Sequence, residues 1–338
     1  MSVPLFRQKG IALIMVLLAM ALVVMLATGM TKQQTIRVFK AGHFLSQQQG
    51  TSIALGAEAY ARVQLFTDHE NDQEDSSLVD TPFEDWAGNS AILPLDDGLG
   101  VAQAQIDDLG GRINLNDLVN ENGEVDVLTQ QRLERLLIAL DIDSIEVAKL
   151  IDWIDSNDQP VILEGGYGAE DGQYLSQEPG YRTGNQPFAN VSELLLIEGV
   201  EPEDVAALRE HVTALPVTGL GINVNFASPE VLQSLHEDLT PGHIADIEEA
   251  LEENQGFDDL QEFLALNPFA GLGLNRQGLS VRTHFFEVAA RITYDNRIVY
   301  LHSTIYRNGE GEMQTVSRDF GRKIKDDDFK DPVNFSEG

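Results

Sequence analysis

The chain has 338 residues, with 22 Lys and Arg against 55 Asp and Glu, a net charge of -33 and no cysteine. Thiol catalysis, cysteine zinc sites and disulfides are excluded, and a surface this acidic repels nucleic acid and anionic headgroups. The length suggests two or three domains. Ile11 to Met30 is a run of 20 residues without charge or proline. As a helix it spans about 30 Å, the thickness of a bilayer core. Arg7 and Lys9 precede it, and such flanking bases usually stay in the cytoplasm. Lys32, Arg37 and Lys40 follow the run and blur that count. The residues leave three readings open. Ala27-Thr28-Gly29 offers the cleavage site of a secretory signal, although the run exceeds the usual core of roughly 7 to 15 residues. An uncleaved anchor is the second. The third is cleavage between Gly10 and Ile11, which leaves the whole apolar helix on the mature chain.

Thr31 to Phe66 continues in helical fashion. Ile36, Phe39, Leu45, Ile53, Ala57, Tyr60 and Phe66 recur at roughly helical spacing, and Gly42, Gly50 and Gly56 weaken the helix locally. Asp68 to Asp85 holds eight acids and no Lys or Arg, and reads as a solvated loop. Gly98 to Asp107 alternates as a strand. From Asn114 to about Pro268 the patterns are mostly helical. Leu128, Leu133, Leu136, Leu137 and Leu140 share one side of a helix over Val127 to Leu140. Ser144 is expected to N-cap a helix that runs to Ile154. A weak repeat spans this region. Ile113-Asn114-Leu115-Asn116 returns as Ile222-Asn223-Val224-Asn225, and the stretch from Phe188 to Leu195 returns as Phe257 to Leu264. This predicts two related small helical bundles in tandem, the first longer by an irregular segment over Asp155 to Pro187. From Ser280 the period becomes two. Arg282–Tyr294, Arg297–Tyr306 and Met313–Phe320 predict an antiparallel meander, with turns at Asp295-Asn296 and Asn308-Gly309-Glu310-Gly311. Lys325 to Gly338 reads as a loose acidic tail.

The motifs of common enzyme classes are missing: no G-x-S-x-G, H-E-x-x-H, P-loop or G-x-G-x-x-G. The seven histidines are scattered, and His236 and His243 read as surface residues. Leu194 to Val212 has the outline of a helix-hairpin-helix turning at Glu198-Gly199-Val200. Its acids outnumber its one base, Arg209, and phosphate binding needs the opposite balance. It reads as a packing unit, with Leu194, Leu195, Ile197 and Val200 in the core. Asp152 to Tyr181 carries seven acids, no Lys or Arg, and the run Gly165-Gly166-Tyr167-Gly168. A carboxylate-rich, glycine-bent loop supplies the flexible oxygen shell that calcium requires. A plain solvated loop is the alternative. EF-hand spacing is absent.

The junction Arg7-Gln8-Lys9-Gly10 before Ile11-Ala12-Leu13-Ile14 resembles that of type IV pilin and pseudopilin precursors. The resemblance implies cleavage after Gly10 by a prepilin peptidase and methylation of Ile11. Most members carry a glutamate five residues into the mature chain; here Met15 stands there. The family is thought to use that glutamate to neutralise a neighbouring subunit's amine, so its loss suits a first subunit at a fibre tip. The paired Asn-x-Asn segments and the stretch from Asp152-Trp153-Ile154-Asp155 through Gly168-Ala169-Glu170-Asp171 to Tyr174 narrow the likeness. The whole layout resembles the K-type minor pseudopilins of type II secretion systems. That implies an α+β fold: a pilin-like long N-terminal helix and a small antiparallel sheet, interrupted by an all-α insert of two SAM-like bundles. The implied segments are a leader over 1–10, a membrane helix over 11–30, and helix plus first part of the head over 31–112. The two bundles cover 113–218 and 219–279, the head strands 280–323 and the tail 324–338. The likeness also implies a single-pass inner-membrane protein, mostly periplasmic. Its partners would be I-type and J-type minor pseudopilins and the major pseudopilin fibre. It implies structural calcium in the first bundle, for which Asp155, Asp158, Glu164, Glu170 and Asp171 are the candidate ligands. The rival readings are a membrane-anchored calcium-binding enzyme and a DNA-uptake pilin.

Overall fold

The computed structural model describes residues 11–75, 77–88, 90–95, 98–163, 166–325 and 329–330. Helix α1 (Ile11–Asp75) is unbroken over 65 residues, about 97 Å at 1.5 Å per residue. It contains the single helix among the described residues long and apolar enough to cross a membrane. In chain order there follow β1 (Ala91–Pro94), β2 (Gly100–Asp108), β3 (Ile113–Asn114), α2 (Val127–Ala139), α3 (Val147–Ile154), β4 (Ile162–Leu163) and β5 (Gly166–Tyr167). Next are α4 (Asp171–Tyr174), α5 (Pro202–Leu208), β6 (Val212–Thr213), β7 (Ile222–Asn223), α6 (Pro229–Ser234), α7 (Pro241–Asn254), α8 (Leu260–Leu264) and β8 (Leu279–Ser280). The chain closes with β9 (Phe285–Tyr294), β10 (Arg297–Arg307) and β11 (Met313–Asp319).

The head is a five-stranded antiparallel sheet in the order β1-β2-β9-β10-β11, with α1 across one face. Asp295 and Asn296 both take positive φ (46° and 58°), as the tight β9–β10 hairpin requires. Ala54, Ala61 and Leu65 of α1 are buried against Ala102, Ile106, Phe286, Val288, Ala290, Ile292, Val299, Leu301 and Ile305. Small residues let the helix lie close: a Cβ on Gly50 would stand 2.7 Å from Val299 Cγ2. Glu58 fastens the same face from within. Its buried carboxylate accepts from Ser303 (2.8 Å), Thr315 (2.8 Å) and both Nε and Nη2 of Arg318 (2.6 and 2.8 Å).

The insert is built on its repeated asparagines. Asn116 Nδ2 donates to Phe188 O and Leu215 O (both 3.0 Å), and Phe188 N donates back to Asn116 Oδ1 at 2.7 Å. Asn225 does the same in the second bundle, donating to Phe257 O (3.2 Å) and accepting from Phe257 N (2.8 Å). Each asparagine thus closes the backbone of the phenylalanine that opens the other repeated segment, and Asn116 and Asn225 are 3% and 2% exposed. One apolar core runs through both bundles. Arg132 and Arg135 on α2 staple them by donating to Gln277 O, Gly278 O, Ser234 O and Leu235 O.

Several expectations are corrected. The acidic stretch after Phe66 is not a solvated loop: α1 continues to Asp75, and Asp80 is 1% exposed. The N-cap of α3 is Glu146; Ser144 instead accepts from Glu201 N, because the chain from Asp143 to Ile145 lies beside α5 rather than feeding the helix. Leu195 is 48% exposed, since the short 3-10 helix over Val191–Leu196 turns only Leu194 inward. The C-terminal segment is not loose where the structure describes it. Ile324 is buried, Arg322 pairs with Glu287, and Lys330 donates to Gln105, Ala87 O and Ile106 O, so these residues are held against the head. Residues 331–338 lie outside the described residues.

Candidate functional site

Two groups of carboxylates gather in the folded chain, and they are balanced differently. In the first, oxygens of Asp68, Asp80 and Glu84 lie within 4.8 Å of one another. This joint already contains its cation. Arg307, 4% exposed, donates to Asp68 (3.1 Å), Asp80, Leu65 O and Thr283 O, and lies 4.7 Å from the Phe286 ring centroid. Burial, with the charges of Asp68 and Asp80, pushes the Glu84 carboxyl up to about 9. It is therefore neutral near pH 7, and one guanidinium serves the two remaining carboxylates. Asp80 O accepts from Asn223 and Asn225, which ties the joint to the insert. These groups position the insert on the head.

The second group lies in the first bundle. Helix α3 ends with Asp155 as its C-cap, the β4–β5 hairpin follows, and Glu170 is the N-cap of α4. Asp152 is fully buried, with Asp155 4% and Glu170 8% exposed. Asp152 Oδ1 accepts from Val161 N at 2.9 Å, but Oδ2 has no hydrogen-bond partner among the described residues. Neither Glu170 oxygen has one. Gly168 makes room for this pocket, because a Cβ there would overlap the Asp152 carboxylate. Burial pushes Asp152 up to about 6, with the charge of Asp155 adding to it. Burial, then the charges of Asp152, Asp155, Asp158 and Asp171, pushes Glu170 up to about 7. Asp155 is also raised by burial. No Lys or Arg pairs with Asp152, Asp155 or Glu170 among the described residues.

Of the candidate ligands, Glu170 is buried here without a partner, Asp155 beside it accepts from Asn157 N (3.2 Å) and Asn157 Nδ2 (2.7 Å), and Asp158 is exposed nearby. Asp171 is engaged: Oδ2 pairs with Arg182 at 2.6 Å, and Oδ1 accepts from Thr183 N and Oγ1 at 3.1 Å. Glu164 and Gly10 lie outside the described residues, and Ile11 begins α1. Asp152, which is not among the candidate ligands, stands in helix α3. The available signal was its place beside Ile151 and Trp153 on a helix with almost no polar face. Trp153, Tyr174 and Tyr181 pack edge-on and tilted beside it, with ring centroids 5.4 to 6.5 Å apart.

A third feature is the uncovered side of α1. Val38, Leu45, Ser52, Ala59 and Phe66 recur every seven residues, and Leu55 and Val63 flank them; all are exposed. Gly42 and Gly56 lie near this side, and a Cβ on either would meet nothing within 4 Å.

Comparison with known proteins places the chain. The family models described as "Type II secretion system (T2SS), protein K" match residues 111–217 and 222–282. A "Type II secretion system protein K" from Pseudomonas aeruginosa is 33% identical, covering 93% of each chain. The chain belongs to the type II secretion system protein K family. It is thus a minor pseudopilin component of that apparatus, and its apolar N-terminal helix is consistent with a single-pass inner-membrane anchor. A Klebsiella pneumoniae protein K is 34% identical over 66% of this chain and 68% of its own. The fold matches a chain in the crystal structure of the GspK-GspI-GspJ complex from enterotoxigenic Escherichia coli. That match has a TM-score of 0.72 at 22% identity and covers 84% of this chain and 100% of that one.

Proposed function

We propose that a prepilin peptidase cuts this chain between Gly10 and Ile11, that Ile11 is then methylated, and that the head stands in the periplasm. There it joins I-type and J-type minor pseudopilins as the end subunit of the pseudopilus and helps start the fibre. The observation that carries this reading is the second apolar side of α1. The sheet occupies one side of the helix, so the heptad row from Val38 to Phe66 is free for a partner helix. The exposed glycines beside it allow close approach. The insert supports an end position. A subunit inside a thin fibre must fit between neighbours above and below, and a bundle pair the size of 113–279 obstructs one of them. Met15 agrees, since it offers no carboxylate to the amine of a subunit above. The test is co-purification of the full chain with its I-type and J-type partners from detergent. The three should leave a sizing column together, and V63E/F66E should drop out with its own fold intact. Unimpaired assembly of that variant would remove the stripe from the account.

We also propose that the pocket of Asp152, Asp155 and Glu170, with Asp158 at its rim, holds a structural calcium ion. The support is chemical: Asp152 Oδ2 and both Glu170 oxygens are buried without donors, and the three carboxyls, raised by burial and neighbouring charge, suit a hard divalent cation. The ion would neutralise this charge and fasten the β4–β5 hairpin to α3. Terbium is the direct probe, because Trp153 adjoins Asp152 and can sensitise its luminescence. Emission that calcium displaces supports the site; emission equal in E170Q refutes it.

A further inference from the structure

The stalk of α1 carries a charge pattern that neither reading uses. From Ile11 to Ala57 the sequence has three bases, Lys32, Arg37 and Lys40, and no Asp or Glu, in a chain of net charge -33. All three lie between Met30, where the apolar run ends, and Ser46, the first buried residue of the helix. They are exposed, and none pairs with a carboxylate among the described residues. Arg297, in the β9–β10 turn, contacts His43 (2.8 Å to Nε2), adding a base at the same end of the head. Phe39 and Phe44, 65% and 64% exposed, stand among them.

Helix geometry fixes the heights of these side chains. At 1.5 Å per residue, Lys32, Arg37 and Lys40 lie about 3, 10 and 15 Å beyond Met30. The polar layer of a leaflet is roughly 5 to 8 Å deep, and long basic side chains reach back toward it along their apolar stems. We propose that Lys32, Arg37 and Lys40 form a belt that binds the phosphates of anionic phospholipids in the leaflet beneath the head. A base near such a surface strengthens binding about five-fold. The belt offsets the repulsion between an acidic head and that surface. It also explains bases on the side of the span where an orientation signal does not call for them. The inference rests on reading Ile11–Met30 as a membrane span.

The test uses the full chain in nanodiscs of phosphatidylcholine containing a minority of phosphatidylglycerol. Native mass spectrometry reads the lipids that stay with the protein. The wild type should retain phosphatidylglycerol several-fold above its bulk share, and high salt should remove the excess. K32Q/R37Q/K40Q should enter nanodiscs equally well and retain the bulk ratio. Equal ratios in the two proteins, with insertion intact, would overturn the belt alone. A wild type whose excess lipid is displaced by inorganic phosphate would make it a free-phosphate site and overturn the lipid assignment. A chain that does not enter nanodiscs would overturn the membrane reading and the belt with it.

Discussion

Replacing Asn225 with alanine tests whether the repeated asparagines hold the insert together. The side chain is 2% exposed and joins three backbone groups: Phe257 N at 2.8 Å, Phe257 O at 3.2 Å and Asp80 O at 3.3 Å. Asp80 O keeps a bond from Asn223 at 3.1 Å. In N225A the Phe257 N–H and C=O therefore lose this partner, around a residue that is itself fully buried. An unsatisfied buried polar group costs about 1 to 3 kcal/mol, so two cost about 2 to 6 kcal/mol. That is a large share of a typical stability of about 5 to 15 kcal/mol. The assay is urea unfolding of the full chain in detergent, followed by the fluorescence of Trp86 and Trp153. N116A should behave alike, because it strips the same pair of groups from Phe188. A loss below about 1 kcal/mol in both variants would refute the claim that these amides organise the bundles.

Three further outcomes follow from the packing. Burial opposes the charge on Glu58, but the bonds from Arg318, Thr315 and Ser303 outweigh it and hold the carboxyl down at about 2, against an ordinary 4.5. A depressed carboxyl contributes stability above its unfolded value and loses it as pH falls. Between pH 4.5 and 2 the fold should therefore lose about 2 kcal/mol, after discounting for the half-exposed Arg318. E58Q should flatten this limb of a pH-denaturation profile; an unchanged limb would contradict the assignment. Calcium chelation should lower the melting temperature of the wild type, and calcium should restore it. E170Q should melt higher than the chelated wild type, having lost one repelled charge, and should ignore calcium; a calcium response equal to wild type would argue against the pocket. G50L should push α1 from the sheet at Val299 and cost about 1 to 3 kcal/mol. V299A should recover part of that loss, and a neutral G50L would mean the helix is not seated there.

Much of the architecture was legible in residues whose pattern is local. The apolar run, the period-two strands and the Asp295-Asn296 turn each report their own backbone. The repeated Asn-x-Asn segments were visible as a repeat, but their purpose depends on reaching Phe188 and Phe257, 72 and 32 residues onward. Asp68, Asp80 and Glu84 looked like a solvated loop because their cation, Arg307, is 227 residues from Asp80. Asp152 was hidden by its helix, where an acid is ordinarily turned to solvent. Leu195 went the other way: its neighbour Leu194 fills the core position, and a 3-10 turn cannot bury both. Ile324 and Lys330 gave no periodic signal, since a strap is held at separate points.

We propose that this subunit ends the fibre because its insert leaves no room above it. Immunogold labelling of the insert on pseudopili elongated by excess major pseudopilin tests it most directly. Label should appear at one end of each fibre, with none along the shaft. Label spaced along the shaft would contradict it.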